Sequence, residues 1–268
     1  MRIFFSIISH GHFETISKLK TIEVLSSFSC VVVAVKDNLG EPGLKDYCES
    51  LSVEYISERK NIGFGANNNF VFDYFSSKMG MTVDDFFCVL NPDVLFDKCF
   101  LVSLSESIQC NGFSLSTVCL YKDSGFQYLD FHIRKFPSIT DFALSFLFGR
   151  NPSIIVERGS DTVFDWSAGS FMIFSVSSYK LVNGFDENYF MYCEDIDICY
   201  RLSKSGIRPR LLSDLRAVHF AAHGNRKLFS KHFLWHLKGV VRLMIIRRLL
   251  RVPLLSKILK PKSILKFD

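Results

Sequence analysis

The chain has 268 residues, 48% of them hydrophobic and 15% aromatic, which is enough to bury one large α/β core and too apolar for a disordered polypeptide. Its net charge of +5 is uneven: residues 226–268 carry 12 Lys and Arg against one acid, whereas residues 1–225 carry 20 against 26 acids. The eight cysteines form no C-x-x-C pair and no compact zinc spacing, which argues against a disulfide scaffold or structural zinc and for buried thiols in a reducing compartment.

The opening Met1-Arg2-Ile3-Phe4-Phe5-Ser6-Ile7-Ile8 is broken by Ser6 and runs into Ser9-His10-Gly11-His12 without a small-residue cleavage site, so it reads as a first strand rather than a leader. The following residues alternate helix-compatible segments at 13–28, 41–51 and 66–78 with apolar runs at 30–35, 53–56 and 85–90. That alternation predicts a parallel sheet with crossover helices. In such a sheet the ligand crevice lies at the carboxyl ends of the strands, where Asp37, residues 61–65 and Asp93 fall. Residues 111–165 are irregular, and regularity returns as a strand at 169–175, a helix at 195–205 and a strand at 210–219.

Residues 226–251 predict an amphipathic basic helix, in which Phe229, Phe233, Leu237, Val240, Val241, Met244 and Ile245 alternate with Lys231, Lys238, Arg242, Arg247, Arg248 and Arg251. With Trp235 among them, this pattern fits an anionic membrane surface; it also fits a helix docked on the body with a solvated basic face. The aromatics sit among aliphatics, unlike a stacking platform for nucleic acid, and no stretch reaches the ~18 apolar residues of a membrane span.

Four motifs carry chemistry. Asn61-Ile62-Gly63-Phe64-Gly65-Ala66-Asn67-Asn68-Asn69 follows a strand and opens a helix, so its glycines permit close backbone approach and its amides can face a phosphate or base; a plain tight turn would look the same. Asn91-Pro92-Asp93 ends a strand, where a carboxylate can hold a divalent cation on a diphosphate or merely cap a turn. The run from Gly184 to Asp197 packs five carboxylates into an aromatic stretch, and desolvation there raises carboxylate pKa values toward general-base use at Glu194 and Asp195. His219 and His223 are candidate late metal ligands or ordinary hydrogen-bonded histidines, and Asp37-Asn38 are turn residues or nucleobase acceptors.

Taken in order, these motifs, with Asp165-Trp166-Ser167-Ala168-Gly169-Ser170-Phe171-Met172 and Arg134-Lys135-Phe136-Pro137, resemble the family 2 inverting glycosyltransferases of GT-A fold, in the rhamnosyltransferase branch that acts on N-acetylglucosaminyl diphosphopolyprenol in O-antigen assembly. The resemblance spans about residues 1–225. It implies a Rossmann-like, mostly parallel sheet flanked by helices, with a nucleotide-sugar-binding half at 1–110 and an acceptor and catalytic half at 111–225; the charge pattern adds a basic helical tail at 226–268.

The resemblance also implies roles for individual residues. Ser9, Asp37, Asn61, Gly63, Gly65, Asn69, Asn91 and Asp93 would contact the nucleotide sugar, and Asp93 with His219 would hold Mg²⁺ or Mn²⁺ on its diphosphate. Asp195 would be the general base with Glu194 beside it, and Trp166, Gly169 and Ser170 would meet the acceptor. Two positions depart from the family pattern: Asn91 replaces the first acid of Asp-x-Asp, and Ser9-His10-Gly11 replaces Ser-Tyr-Asn.

The implied reaction moves L-rhamnose from dTDP-L-rhamnose to N-acetylglucosaminyl diphospho-undecaprenol, peripherally at the cytoplasmic face of the inner membrane. A UDP-hexose or furanose donor would suit the same fold. Two other readings are a metal-dependent nucleotidyltransferase, with Arg59-Lys60 near the glycine loop, and a binding module in which Glu194 and Asp195 only cap a helix.

Overall fold

The computed structural model describes residues 1–149, 151–221 and 230–250. In chain order the elements are β1 (Ile3–Ser9), α1 (Phe13–Leu19), α2 (Thr21–Ser26), β2 (Val31–Asp37), α3 (Leu44–Ser50), β3 (Glu54–Ile56), α4 (Phe64–Lys78), β4 (Phe86–Leu90), β5 (Val94–Leu95), α5 (Lys98–Asn111), β6 (Leu115–Tyr121) and β7 (Ile133–Arg134). They continue with α6 (Ile139–Phe148), β8 (Trp166–Ser167), β9 (Phe171–Ser175), α7 (Val176–Leu181), α8 (Glu194–Lys204), β10 (Arg210–His219) and α9 (Lys231–Leu249).

Eight strands form one sheet in the order β3-β2-β1-β4-β9-β6-β10-β5, to which residues 1–110 and 111–225 both contribute. The pairings of β1 with β2 and β4, β2 with β3, and β6 with β10 are parallel; β9, between β4 and β6, and the edge strand β5 run against the rest. β7 and β8 make a separate two-stranded ladder.

Strand alternation divides the core into two layers. Ile3, Phe5 and Ile7 of β1 pack with Ile16, Leu25, Leu44 and Leu104 of α1, α2, α3 and α5. Phe4 and Ile8 point the other way, into Phe72, Phe75, Tyr179 and Ile198 of α4, α7 and α8. The two-residue period of a strand buried on both faces produces this split.

The predicted helix over residues 13–28 is instead two helices, because Lys20 takes a left-handed conformation at φ +57°. Thr21 is buried at the new start, and its hydroxyl donates to the Val94 carbonyl across 2.7 Å. α9 begins at Ser230, whose hydroxyl accepts from the Phe233 N–H at 3.2 Å, and it buries Gly239, Leu243 and Ile246 against the α4–α8 layer. No helix among the described residues is long and apolar enough to cross a membrane.

Candidate active site

β1 and β2 run in register until Ser9 faces Asp37, so both chains leave the sheet at the same level. Asp37 is fully buried and accepts from the N–H groups of Leu39 (3.0 Å), Gly40 (2.6 Å) and Glu41 (2.7 Å) and from the Tyr55 hydroxyl (2.8 Å). Burial opposes its ionisation, but these hydrogen bonds outweigh burial and hold its pKa below the usual carboxylate value. With its acceptor capacity used inside the chain, Asp37 shapes the turn at residues 38–41 from beneath. Ser9 donates to Glu41, which also accepts from the N–H groups of Gly11 (2.9 Å) and Phe13 (2.8 Å).

Asn38 links this turn to the glycine loop by accepting from the Ile62 N–H at 3.2 Å and donating to the Ile62 carbonyl at 3.0 Å. Asn61 lies in the left-handed region at φ +57°. The glycines do permit close approach, but the partner is the chain's own run before Glu194. A Cβ on Gly63 would fall 2.6 Å from the Phe190 carbonyl oxygen, and one on Gly65 would fall 2.7 Å from Phe185 Cβ. The Phe64 N–H donates to the Phe190 carbonyl at 2.9 Å, so the start of α4 and the run before Glu194 are locked together. Asn69 is likewise spent internally: its amide donates to the Phe185 carbonyl and Glu187, and its oxygen accepts from the Tyr179 hydroxyl and the Phe185 N–H.

The metal candidates meet where β4, β9 and β10 end or begin. The Asn91 N–H donates to the Ser170 carbonyl at 2.9 Å, and the Asn91 amide lies 3.4 Å from His219 Nε2. His219 stands between two acids, with Nε2 3.3 Å from Asp93 Oδ1 and Nδ1 2.6 Å from Asp130 Oδ2. Burial lowers the imidazole pKa, but the hydrogen bonds to Asp130 and Asp93 outweigh it and raise the value to about 9. Sequence reading missed Asp130, which sits in the irregular stretch 89 positions before His219 and belongs to no motif.

Asp93 Oδ1 is buried, and its partner within the chain is His219 Nε2 at 3.3 Å. Once Nε2 gives up its proton, Asp93 and His219 Nε2 would offer a hard divalent cation two donors, with Nδ1 already fixed by a carboxylate in the manner of many metal-bound histidines. Among the described residues no group of three or more His, Cys, Asp or Glu could hold a metal, so a cation here would need further ligands, which a diphosphate can supply. His223 lies outside the described residues.

The acids of α8 are presented by a strained turn. Tyr192 and Cys193 both take left-handed conformations, at φ +74° and +71°, a cost of ~1–3 kcal/mol each for non-glycine residues. Helix α8 then starts at Glu194. Asp195 Oδ1 accepts from the Ile196 N–H (2.8 Å) and Oδ2 from the Gly169 N–H (3.3 Å), which sets it beside the Gly169-Ser170 segment that also holds Asn91. Glu194 is buried, and its Oε2 has no hydrogen-bond partner. Desolvation, then repulsion from Asp195, push its pKa up to about 8, and desolvation also raises that of Asp195.

The other motif acids are structural. Asp197 pairs with Arg201 at 2.7 Å, and Asp186 takes two hydrogen bonds from the Arg242 guanidinium of α9, at 2.8 and 2.6 Å. Trp166 is buried with its indole N–H on the Lys135 carbonyl and the Arg134 guanidinium over its ring, so its polar atom is satisfied within the chain.

No protein-family model matches the chain. It is 40% identical over 252 residues to rhamnosyltransferase WbbL of Escherichia coli K12, covering 92% of this chain and 94% of that one. The chain belongs to the rhamnosyltransferase family of glycosyltransferases. It is also 27% identical to the N-acetylglucosaminyl-diphospho-decaprenol L-rhamnosyltransferase of Mycobacterium tuberculosis, over 70% of this chain and 65% of the relative.

Among solved structures, S. aureus TarS 1-349 in complex with UDP-GlcNAc superposes at a TM-score of 0.61 and 12% identity, covering 94% of this chain and 68% of that one. The mannosyltransferase PcManGT from Pyrobaculum calidifontis, in complex with GDP-Man and Mn²⁺, gives 0.57 and 10%, covering 92% and 64%. The fold is GT-A, and the protein is a glycosyltransferase.

Proposed function

We propose that the protein is an inverting transferase that moves L-rhamnose from dTDP-L-rhamnose to a polyprenyl diphosphate-linked sugar, N-acetylglucosaminyl diphospho-undecaprenol, at the cytoplasmic face of the inner membrane. The observation that carries the mechanism is the placement of Asp195. It is a partly exposed carboxylate of raised pKa, oriented by two backbone N–H groups on a strained helix start, beside the Gly169-Ser170 segment that reaches the Asp93–His219 pair. A carboxylate so placed can take the proton from an acceptor hydroxyl as it attacks the anomeric carbon opposite the departing nucleoside diphosphate. One displacement inverts that carbon.

Asp93 and His219 would hold Mg²⁺ or Mn²⁺, which neutralises the charge that develops on the leaving diphosphate. Ser9, Asp37 and the Asn61–Gly65 loop frame the nucleoside end, Asp37 by holding the turn and Gly63 and Gly65 by seating the loop on the catalytic segment. The mycobacterial relative's name supports the lipid-linked acceptor, and the basic residues at 226–268 support an anionic membrane as the place where it is met.

The test is nucleotide release from a panel of dTDP-, UDP- and GDP-sugars, with detergent-dispersed N-acetylglucosaminyl diphosphopolyprenol, with and without EDTA. Acceptor-dependent release from dTDP-L-rhamnose alone, abolished by EDTA and restored by Mn²⁺ or Mg²⁺, is the expected result. Release from a different donor would overturn the sugar assignment, and EDTA-insensitive release would overturn the metal.

A further inference from the structure

Helices α6 and α9 lie side by side on the face that carries the catalytic turn. Arg247, late in α9, donates to the Pro137 carbonyl just before α6, and farther along the Phe142 and His236 rings meet with centroids 6.0 Å apart, so the two helices run antiparallel. Their inward side chains belong to the body, through Phe142, Leu243, Ile246 and the Arg242–Asp186 pair. Their outward side chains are apolar where a solvated helix would be polar. On α6, Leu144 is 39% exposed and Phe148 68%, four residues apart on one stripe opposite Phe142, while on α9 Leu234, Leu237 and Val241 are 50%, 49% and 53% exposed and recur at three- and four-residue spacing on one stripe.

Cations line the α9 side of this patch. Lys231, Lys238 and Arg248 are exposed on α9, which contains no acid, and the one acid of α6, Asp141, is folded into a capping box with Ser138. The patch also borders the acceptor side: Trp235 stacks on Phe190 with centroids 4.5 Å apart, and His232 Nδ1 lies 3.0 Å from the Tyr192 hydroxyl, in the segment that leads into Glu194. An apolar stripe flanked by cations is complementary to a bilayer with anionic headgroups.

We propose that the outward faces of α6 and α9 form one membrane-docking surface that enters the headgroup–acyl boundary of an anionic bilayer beside the acceptor entrance. It presents a lipid-linked sugar to Asp195 without removing the lipid from the membrane. This rests on the lipid-linked acceptor proposed above and locates its point of delivery on two helices far apart in sequence.

The test is flotation of the full chain with vesicles of phosphatidylcholine alone or mixed with phosphatidylglycerol, in the absence of nucleotide sugar. Wild type is compared with Leu234→Ser/Leu237→Ser/Val241→Ser and with Leu144→Ser/Phe148→Ser, all at exposed positions, with thermal melts to confirm folding. Each set is expected to weaken partitioning into anionic vesicles about tenfold or more. Each should also raise KM for vesicle-borne acceptor while leaving kcat on a short-chain, water-soluble acceptor unchanged.

Undiminished partitioning of the α6 variant overturns the shared surface, and equal binding to neutral vesicles overturns the anionic partner. A wild-type dimer in light scattering that the α9 set dissolves would assign the face to a second copy instead. Vesicle binding is read without turnover, so its failure is distinguishable from failure of rhamnose transfer.

Discussion

Glu194 and Asp195 are consecutive carboxylates in a poorly solvated place, and the charge of Asp195 makes ionisation of Glu194 harder. Because Glu194 keeps its proton up to about 8, it is neutral over the acid limb of the kcat/KM profile, and Glu194→Gln should leave that limb in place. A limb that moves to lower pH would mean that Glu194 is already charged where Asp195 ionises. Glu194 also ties stability to pH. Its folded pKa of about 8 lies above its ordinary 4.5, so the folded state holds the proton more tightly, and its contribution is complete below about 4.5 and is lost as pH rises through about 8. Melting temperatures should fall over that window in the wild type and less steeply in Glu194→Gln. At the other end of the site, Asp130→Asn frees the His219 ring and should raise the Mn²⁺ concentration for half-maximal activity about tenfold or more, as loss of an outer-shell carboxylate does. An unchanged metal requirement would remove His219 from the metal account.

The element that packs on the turn before Glu194 is α9, which sequence patterning offered first to a membrane and second to the body. Gly239 faces the strained pair, and a Cβ there would lie 2.8 Å from the Tyr192 carbonyl oxygen and 3.3 Å from Cys193 Cβ. In an unpacked helix Gly→Ala stabilises by ~1 kcal/mol. Here the sign should reverse: Gly239→Ala is expected to cost about 1–3 kcal/mol in urea unfolding through overpacking, with a parallel loss of transfer rate. Stabilisation instead would show that α9 does not bear on the turn. The same helix supplies Arg242, whose partner Asp186 reads in sequence as one more acid of the catalytic cluster. The amphipathic pattern could not distinguish them, because both a bilayer and a protein core reward an apolar stripe.

Across the whole molecule, the parallel strands were legible because buried strands read as short apolar runs, and the crevice at their carboxyl ends followed from the sheet type. The reversal of β9 was not, since an apolar run carries no direction and Phe171–Ser175 is oriented by pairing with β4, 81 or more positions earlier. The break at Lys20 was not legible either, since the Thr21 hydroxyl at the new helix start donates to Val94, 73 positions away. Motif reading brought Asp93, His219, Gly169, Ser170, Glu194 and Asp195 into one region. It did not reveal that Asn69, Gly63 and Gly65 serve that region by packing, because the same residue types satisfy a phosphate or a neighbouring backbone.

The central claim is that Asp195 is the base, and it is tested most directly by comparing wild type with Asp195→Asn in single-turnover transfer from dTDP-L-rhamnose, with donor affinity measured by calorimetry on the same preparations. The account predicts a fall in rate of about 10³-fold with Kd for the donor unchanged. Transfer at the wild-type rate, or a loss that follows donor affinity alone, would contradict it.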